Sequence, residues 1–272
     1  MTNYRLNNLD YCIQYLLRQN NAEAEVPATL EGKQRLLRVL MNIWHPQPLS
    51  EEFLQAQDTE LQAQLMDKGV VSVNAAFQRE HTAATIVNSQ YTRLCLWQGD
   101  ITRLKVDAIV NAANNQGLGC WHPLHACIDN AIHSAAGLQL RQECNKILQG
   151  DEIATGGAII TPAYNLPAKY VIHTVGPVVA GDEPIVGHEQ MLAGCYRSCL
   201  CLARDFNLRS IAFCCISTGE YHFPHRRAAE VAVDVVRKHL ASSLQTGSLR
   251  TVVFNVFKDV DLAAYRDVLG AR

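Results

Sequence analysis

The chain has 272 residues, 48% of them hydrophobic and 18% charged, and its 24 basic side chains nearly cancel 26 acidic ones to leave a formal net charge of -2. These proportions exclude a disordered chain, which needs low hydrophobicity with high net charge, and they leave no global basic field for non-specific nucleic-acid binding. Residues 1–68 read as a helical region. Leu6, Leu9, Ile13, Leu16 and Leu17 fall on one stripe, and Leu36, Leu37, Leu40, Ile43 and Trp44 on another. His45-Pro46-Gln47-Pro48 breaks the second helix from a third, which opens at the N-cap Ser50, carries Glu51 and Glu52 where the helix dipole favours them, and continues through Leu54, Leu61 and Leu65. Residues 69–92 read as a connector.

From Arg93 onward short apolar runs alternate with amphipathic helices. The expected strands are Leu94 to Trp97, Val106 to Val110, Ala158 to Thr161, Tyr170 to Val175, Ile211 to Ile216 and Thr251 to Phe257, most of them apolar on both faces as buried central strands are. One helical stripe starts near Ile128 and runs through Ile132, Ala136, Leu140, Cys144 and Ile147. Leu192, Cys195, Cys199, Leu202 and Phe206 form another, and Ala228, Val231, Ala232, Val235 and Val236 a third. The alternation predicts an α/β fold over residues 93–272, a sheet covered on both faces, with ligands beyond the carboxyl ends of its strands.

Ten cysteines accompany ten histidines. The opening MTNYRLNNLDYCIQYLLRQNN lacks the basic start, apolar run and cleavage site of a signal peptide, and no stretch is apolar for the roughly 18 residues of a membrane span. The expectation is a cytoplasmic chain with no membrane partner, whose cysteines are core residues, nucleophiles or metal ligands. The segment Gly119 to Asn130 places Cys120, His122, His125 and Cys127 within eight positions. Zinc favours such soft and borderline donors. Residues two apart point to opposite sides of a helix, so His125 and Cys127 share a metal only in irregular chain, and Pro123 suits a loop or first helical turn there. Cys120, His125 and Cys127 thus form a candidate three-ligand site with an open position; His122 as a fourth ligand would close it into a structural one. The blander alternative is small buried cysteines and core histidines. Packing is the reading for Cys144, Cys195, Cys199, Cys214 and Cys215, while Cys12, Cys95 and Cys201 carry no assignment beyond burial.

Three further stretches sit at strand ends. Ile216-Ser217-Thr218-Gly219-Glu220-Tyr221-His222-Phe223-Pro224 joins a buried strand to a helix starting near His225, a setting in which backbone N–H groups and the helix dipole suit a diphosphate. An ordinary turn is the other reading. Gly99-Asp100-Ile101-Thr102 and Asn111-Ala112-Ala113-Asn114-Asn115 each follow a strand, where Asp100 accepts from an exocyclic amine and asparagines hold sugar hydroxyls, or else serve as turn and cap residues. His133, Arg226 and Arg227 are read as a helix-face histidine and solvated arginines.

In order, Gly99 to Thr102, Val106 to Asn114, Asp129 to Gly137 and Ser217 to Gly219 resemble the macrodomain family. The resemblance spans about Arg93 to Arg272. It implies a three-layer α/β/α fold with a central mixed sheet, here preceded by a small N-terminal helical region, and binding of ADP-ribose. Where ordinary macrodomains carry a glycine-rich run, this chain has Cys120 to Cys127, as in the zinc-dependent branch that hydrolyses ADP-ribosyl-protein linkages. By that resemblance one Zn2+ per chain is held by Cys120, His125 and Cys127. Asp100 binds the adenine amine, Ile101 contacts the base region and Asn114 faces the distal ribose. Ser217, Thr218, Gly219 and Glu220 cradle the diphosphate, with Tyr221 and Phe223 near the distal sugar. Many macrodomains have glycine between those two aromatics; this chain has His222.

The expected reaction is hydrolysis at the anomeric carbon of the distal ribose. Two thiolates formally cancel the dication's charge, so orientation is expected to outweigh Lewis acidity. Asn114 is expected to fix the sugar and Asp129 to orient or deprotonate the nucleophile. The expected partner is ADP-ribose or an ADP-ribosylated protein, with no specific nucleic acid. A non-catalytic ADP-ribose reader and a structural-zinc interaction module are the competing readings.

Overall fold

A computed structural model describes residues 2–87, 91–181, 186–242 and 248–270. Residues 88–90 of the expected connector and the terminal Arg272 lie outside the described residues. The first two apolar stripes and the Ser50 cap become α1 (Thr2–Gln19), α2 (Leu30–Ile43) and α3 (Glu51–Lys68). Leu9, Ile13, Leu16, Leu37, Trp44 and Phe53 are buried together in a cluster of their own, which takes in Leu138 from later in the chain. The Ser50 hydroxyl accepts from Phe53 N–H and Thr29 from Gly32 N–H, each filling one of the orphan donors of a helix start.

The stretch read as a connector carries structure of its own: β1 (Val71–Ser72), α4 (Ala75–His81) and β2 (Thr82–Val87). Then follow β3 (Tyr91–Gln98), a 3₁₀ turn at Ile101–Arg103, β4 (Leu104–Lys105), β5 (Ala108–Ala112), α5 (Ile128–Ala136), α6 (Leu138–Leu148), β6 (Ala158–Pro162), β7 (Tyr170–Thr174), α7 (Val186–Asp205), β8 (Ser210–Phe213), α8 (His225–Ala241), β9 (Thr251–Val256) and α9 (Asp259–Leu269). The main sheet runs β2-β3-β9-β8-β5-β7-β6. Its interior pairings are parallel and its two edge strands antiparallel, which makes the sheet mixed as expected. α7, α8 and α9 pack as one layer, and α5 and α6 as another. Among the described residues no helix is long and apolar enough to cross a membrane.

Two expectations need correction. The single helix read from Ile128 to Ile147 is two, because Gly137 adopts φ +96 between α5 and α6. A Cβ on Gly137 would sit 2.7 Å from Gln57 Nε2 and Gln139 Oε1, and Gln57 Oε1 accepts the Leu138 N–H that the break exposes. The strand expected from Val106 starts at Ala108. Asp107 is diverted to accept from the N–H groups of Arg209 and Ser210 at 2.7 and 3.0 Å and to pair with Lys169.

The helix-face histidine His133 lies on the buried face of α5, 5% exposed. It joins a buried polar group with Asn111, Asp129, Cys144, Thr161 and His173. The Asn111 amide nitrogen donates to Asp129 Oδ1 at 2.7 Å and lies 3.2 Å from His173 Nδ1, while His173 Nε2 faces Thr161 Oγ1 at 3.1 Å and Cys144 Sγ at 3.6 Å. One ring nitrogen accepts and the other donates, which is a neutral imidazole. Burial drives the His173 pKa down to about 3. In the unfolded chain it charges below about pH 6.5, so its contribution to stability is complete above that pH and is lost as pH falls toward 3. His173→Gln is expected to flatten the acid limb of a urea-midpoint-against-pH curve by about one proton, roughly 1.4 kcal/mol per pH unit. An unchanged slope would show that His173 does not titrate on unfolding.

Candidate functional site

The loop between β5 and α5 is folded by its own side chains. Asn114 Oδ1 accepts from Gly117 N–H at 3.0 Å and its Nδ2 donates to Gly119 O at 3.1 Å. Gly119, at φ +83, passes so close over His133 that a Cβ there would lie 2.7 Å from the ring. Cys120 follows directly, and Cys127 at the loop's end caps α5: its sulfur accepts from Asn130 N–H at 3.4 Å. Burial pushes the Cys127 thiol up to about 12, against the effect of that N–H.

The donor atoms of Cys120, His125 and Cys127 all lie within 4.8 Å of one another, and Cys120 Sγ is 3.6 Å from His125 Nδ1. Zinc bonds of about 2.3 Å to sulfur and 2.0–2.1 Å to nitrogen, set at a tetrahedral angle, place the two donors about 3.6 Å apart. The donor set and spacing therefore fit zinc with one position left over. His122 is exposed and stands outside this group, its ring 5.8 Å from that of His125. His133, Cys144 and His173 make a second convergent group, wholly buried. Neither ring nitrogen of His133 has a hydrogen-bond partner; Asp129 Oδ1 is 3.5 Å from its Nε2.

The second candidate stretch is the loop after β8. Ser217 has φ +67, and its hydroxyl is buried without a hydrogen-bond partner. Gly176 lies directly against it, where a Cβ would stand 2.0 Å from Ser217 Oγ. Left-handed backbone and an unsatisfied buried hydroxyl thus fall together in Ser217. His222 takes up φ +55, the left-handed backbone that a glycine between the aromatics would adopt freely. Phe223 N–H donates to Ser217 O and Val179 N–H to Tyr221 O, both at 2.9 Å. Phe223 is 1% exposed and belongs to the main core, and Tyr221 is half-buried.

Glu220 links the two loops. Its side chain is exposed, and Oε1 lies 3.7 Å from Nε2 of His125, whose Nδ1 faces Cys120. A carboxylate behind a histidine helps to orient the ring. Asp100 Oδ1 accepts from Thr102 N–H and Oγ1 at 3.0 and 2.6 Å, capping the 3₁₀ turn, while Oδ2 is 3.5 Å from Lys68 Nζ of α3. Ile101 is buried beneath it. Asp129 is 5% exposed in the first turn of α5, and burial pushes its pKa up to about 6 against the Asn111 amide. Arg226 and Arg227 make exposed ion pairs with Glu230, Asp267 and Glu189, as solvated arginines do.

Arg141 escaped the sequence reading and is 2% exposed. Its Nε donates to Leu118 O at 2.6 Å, and Nη1 to the carbonyls of Met41, Asn42 and Trp44 at 3.0, 3.0 and 2.7 Å. One guanidinium thus caps the end of α2, grips the loop between β5 and α5 and lies 4.2 Å from the ring centre of Trp121. Burial lowers its pKa to about 10, with Asp129 acting against that shift.

Residues 110–232 match the Macro domain family. The chain is 44% identical over 265 residues to a Treponema medium protein named protein-ADP-ribose hydrolase, a match covering 96% of this chain and 97% of that one. A Staphylococcus aureus (strain MSSA476) protein of the same name is 42% identical over 268 residues, covering 96% and 95%. Among solved structures, a Trypanosoma brucei macrodomain in complex with ADP-ribose is 32% identical with a TM-score of 0.62, covering 86% of this chain and 95% of that one. An Oceanobacillus iheyensis macrodomain with ADP is 36% identical with a TM-score of 0.59, covering 69% and 95%. With such identity along nearly its whole length, on a mixed sheet flanked by helices, the chain belongs to the macrodomain family.

Proposed function

We propose that the chain is a zinc-dependent hydrolase that removes ADP-ribose from mono-ADP-ribosylated protein by cleavage at the anomeric carbon of the distal ribose. The observation that carries this reading is the convergence of Cys120, His125 and Cys127 directly across from Glu220 and the Ser217–Phe223 loop. The relatives' names as protein-ADP-ribose hydrolases support it. Held by Cys120, His125 and Cys127, zinc would supply a fixed positive charge, more as an anchor for orientation than as a strong Lewis acid.

The chain's own residues do the rest. Asp100 takes the adenine amine above Ile101, and backbone N–H groups of Ser217, Thr218, Gly219 and Glu220 hold the diphosphate beside the start of α8. Tyr221 flanks the distal sugar over a floor that includes Phe223. Asn114 has one amide hydrogen and one oxygen lone pair beyond its two loop bonds, and these hold a sugar hydroxyl. Asp129, held by Asn111 at 2.7 Å, orients or deprotonates the water. Water adds at the anomeric carbon as the bond to the protein side chain breaks, giving free ADP-ribose and an unmodified side chain. Asp129→Asn is expected to slow release from an ADP-ribosylated protein by about 100-fold while ADP-ribose binding by calorimetry stays within a few-fold. A wild-type rate in this variant removes Asp129 from the chemistry. Tight binding by the wild-type chain with no release replaces the hydrolase by a reader.

A further inference from the structure

The helical region of residues 1–68 has no part in the reaction above, yet α2 grips the ligand loop by its main chain. Arg38 Nη2 donates to His125 O at 3.3 Å, and Arg38 Nε and Nη2 both donate to Asn130 Oδ1 at 3.0 and 2.6 Å. Asn130 Nδ2 in turn donates to His122 O at 2.9 Å. Asn42 Oδ1 accepts from Leu124 N–H at 3.0 Å, and its Nδ2 donates to Ser134 Oγ at 3.1 Å. Asn42 and Asn130 are 2% and 0% exposed, so these contacts are shielded from water. Leu124 itself has φ +58. A left-handed backbone is disfavoured for a bulky L residue and persists only where its surroundings impose it.

We propose that α2 is a positioning element for the metal site: Arg38 and Asn42 hold the His122–His125 turn in its strained form, and that form sets the His125 imidazole against Cys120 and Cys127. The proposal rests on the zinc reading of those three residues. It gives the N-terminal helices a role in metal binding, since released from α2 the turn relaxes at Leu124 and His125 swings away. Partners that orient metal ligands typically account for 10- to 100-fold in affinity.

The test is a zinc titration of the full-length, chelator-stripped chain against a chromophoric competitor, with thermal melts of the metal-free proteins alongside. Asn42→Ala and Arg38→Met are each expected to weaken zinc binding by about 10- to 100-fold. Leu124→Gly, which adopts φ +58 without strain, is expected to keep wild-type affinity and to recover at least about threefold when added to Asn42→Ala. Zinc affinity within twofold of wild type in both single variants, with only the melting temperature lowered, overturns the proposal and leaves α2 a structural support. Absence of recovery in the double variant overturns the strain argument. A wild-type chain that takes up no zinc overturns the metal reading itself, and this proposal with it.

Discussion

Serine in place of Cys120 or Cys127 is expected to remove zinc from the purified chain and to lower ADP-ribose release by about 1000-fold or more, a loss of roughly 4 kcal/mol of transition-state stabilisation. Serine is nearly isosteric with cysteine but offers a neutral hydroxyl where zinc takes a thiolate, and three protein ligands leave no redundancy. The variants should fold. Cys127 caps α5 by accepting from Asn130 N–H, and serine is among the best N-caps, so Cys127→Ser keeps that bond. Cys120 is half-buried, and its replacement leaves little cavity. Cys144→Ser is the matched control, since Cys144 belongs to the buried group with His133 and His173. It is expected to lose stability but keep zinc and turnover. Full zinc content and a wild-type rate in Cys120→Ser and Cys127→Ser would contradict the assignment of ligands.

Arg141→Met is expected to destabilise the folded chain by about 3–5 kcal/mol. The thioether fills most of the space but donates nothing, so the carbonyls of Leu118, Met41, Asn42 and Trp44 lose their donor together in a site 2% exposed. Asp129 also loses the guanidinium charge that opposes the rise in its pKa. Arg141→Lys keeps the charge but not the fork of donors, and should recover less than half of the loss. Urea unfolding at unchanged m-value is the measurement. A loss under about 1 kcal/mol would mean that the carbonyls find water once the guanidinium is gone.

What could be read in the sequence is what depends on neighbours in the chain. Apolar stripes marked α1 and α2, Ser50 marked the start of α3, and short runs apolar on both faces marked the buried strands. The zinc candidates were visible because Cys120, His125 and Cys127 fall within eight positions. The supports of that site were not. Arg38 reaches Asn130 across 92 positions and Arg141 reaches Trp44 across 97, and no periodicity links such pairs. His133, Cys144 and His173 come together only because α5, α6 and β7 meet. The split of the helix at Gly137 was hidden for a related reason: the stripe continues through it, and only the Gln57 side chain of α3 shows why the backbone turns there. Glu220 was placed with the diphosphate loop, but its contact with His125 depends on how two distant loops face each other.

The decisive measurement is elemental analysis of the purified full-length chain coupled to release of ADP-ribose from a mono-ADP-ribosylated protein, before chelation, after chelation and after zinc is returned. One zinc per chain, loss of release with loss of metal, and recovery on adding zinc back are predicted. Release at the full rate from metal-free protein would contradict a zinc-dependent hydrolase.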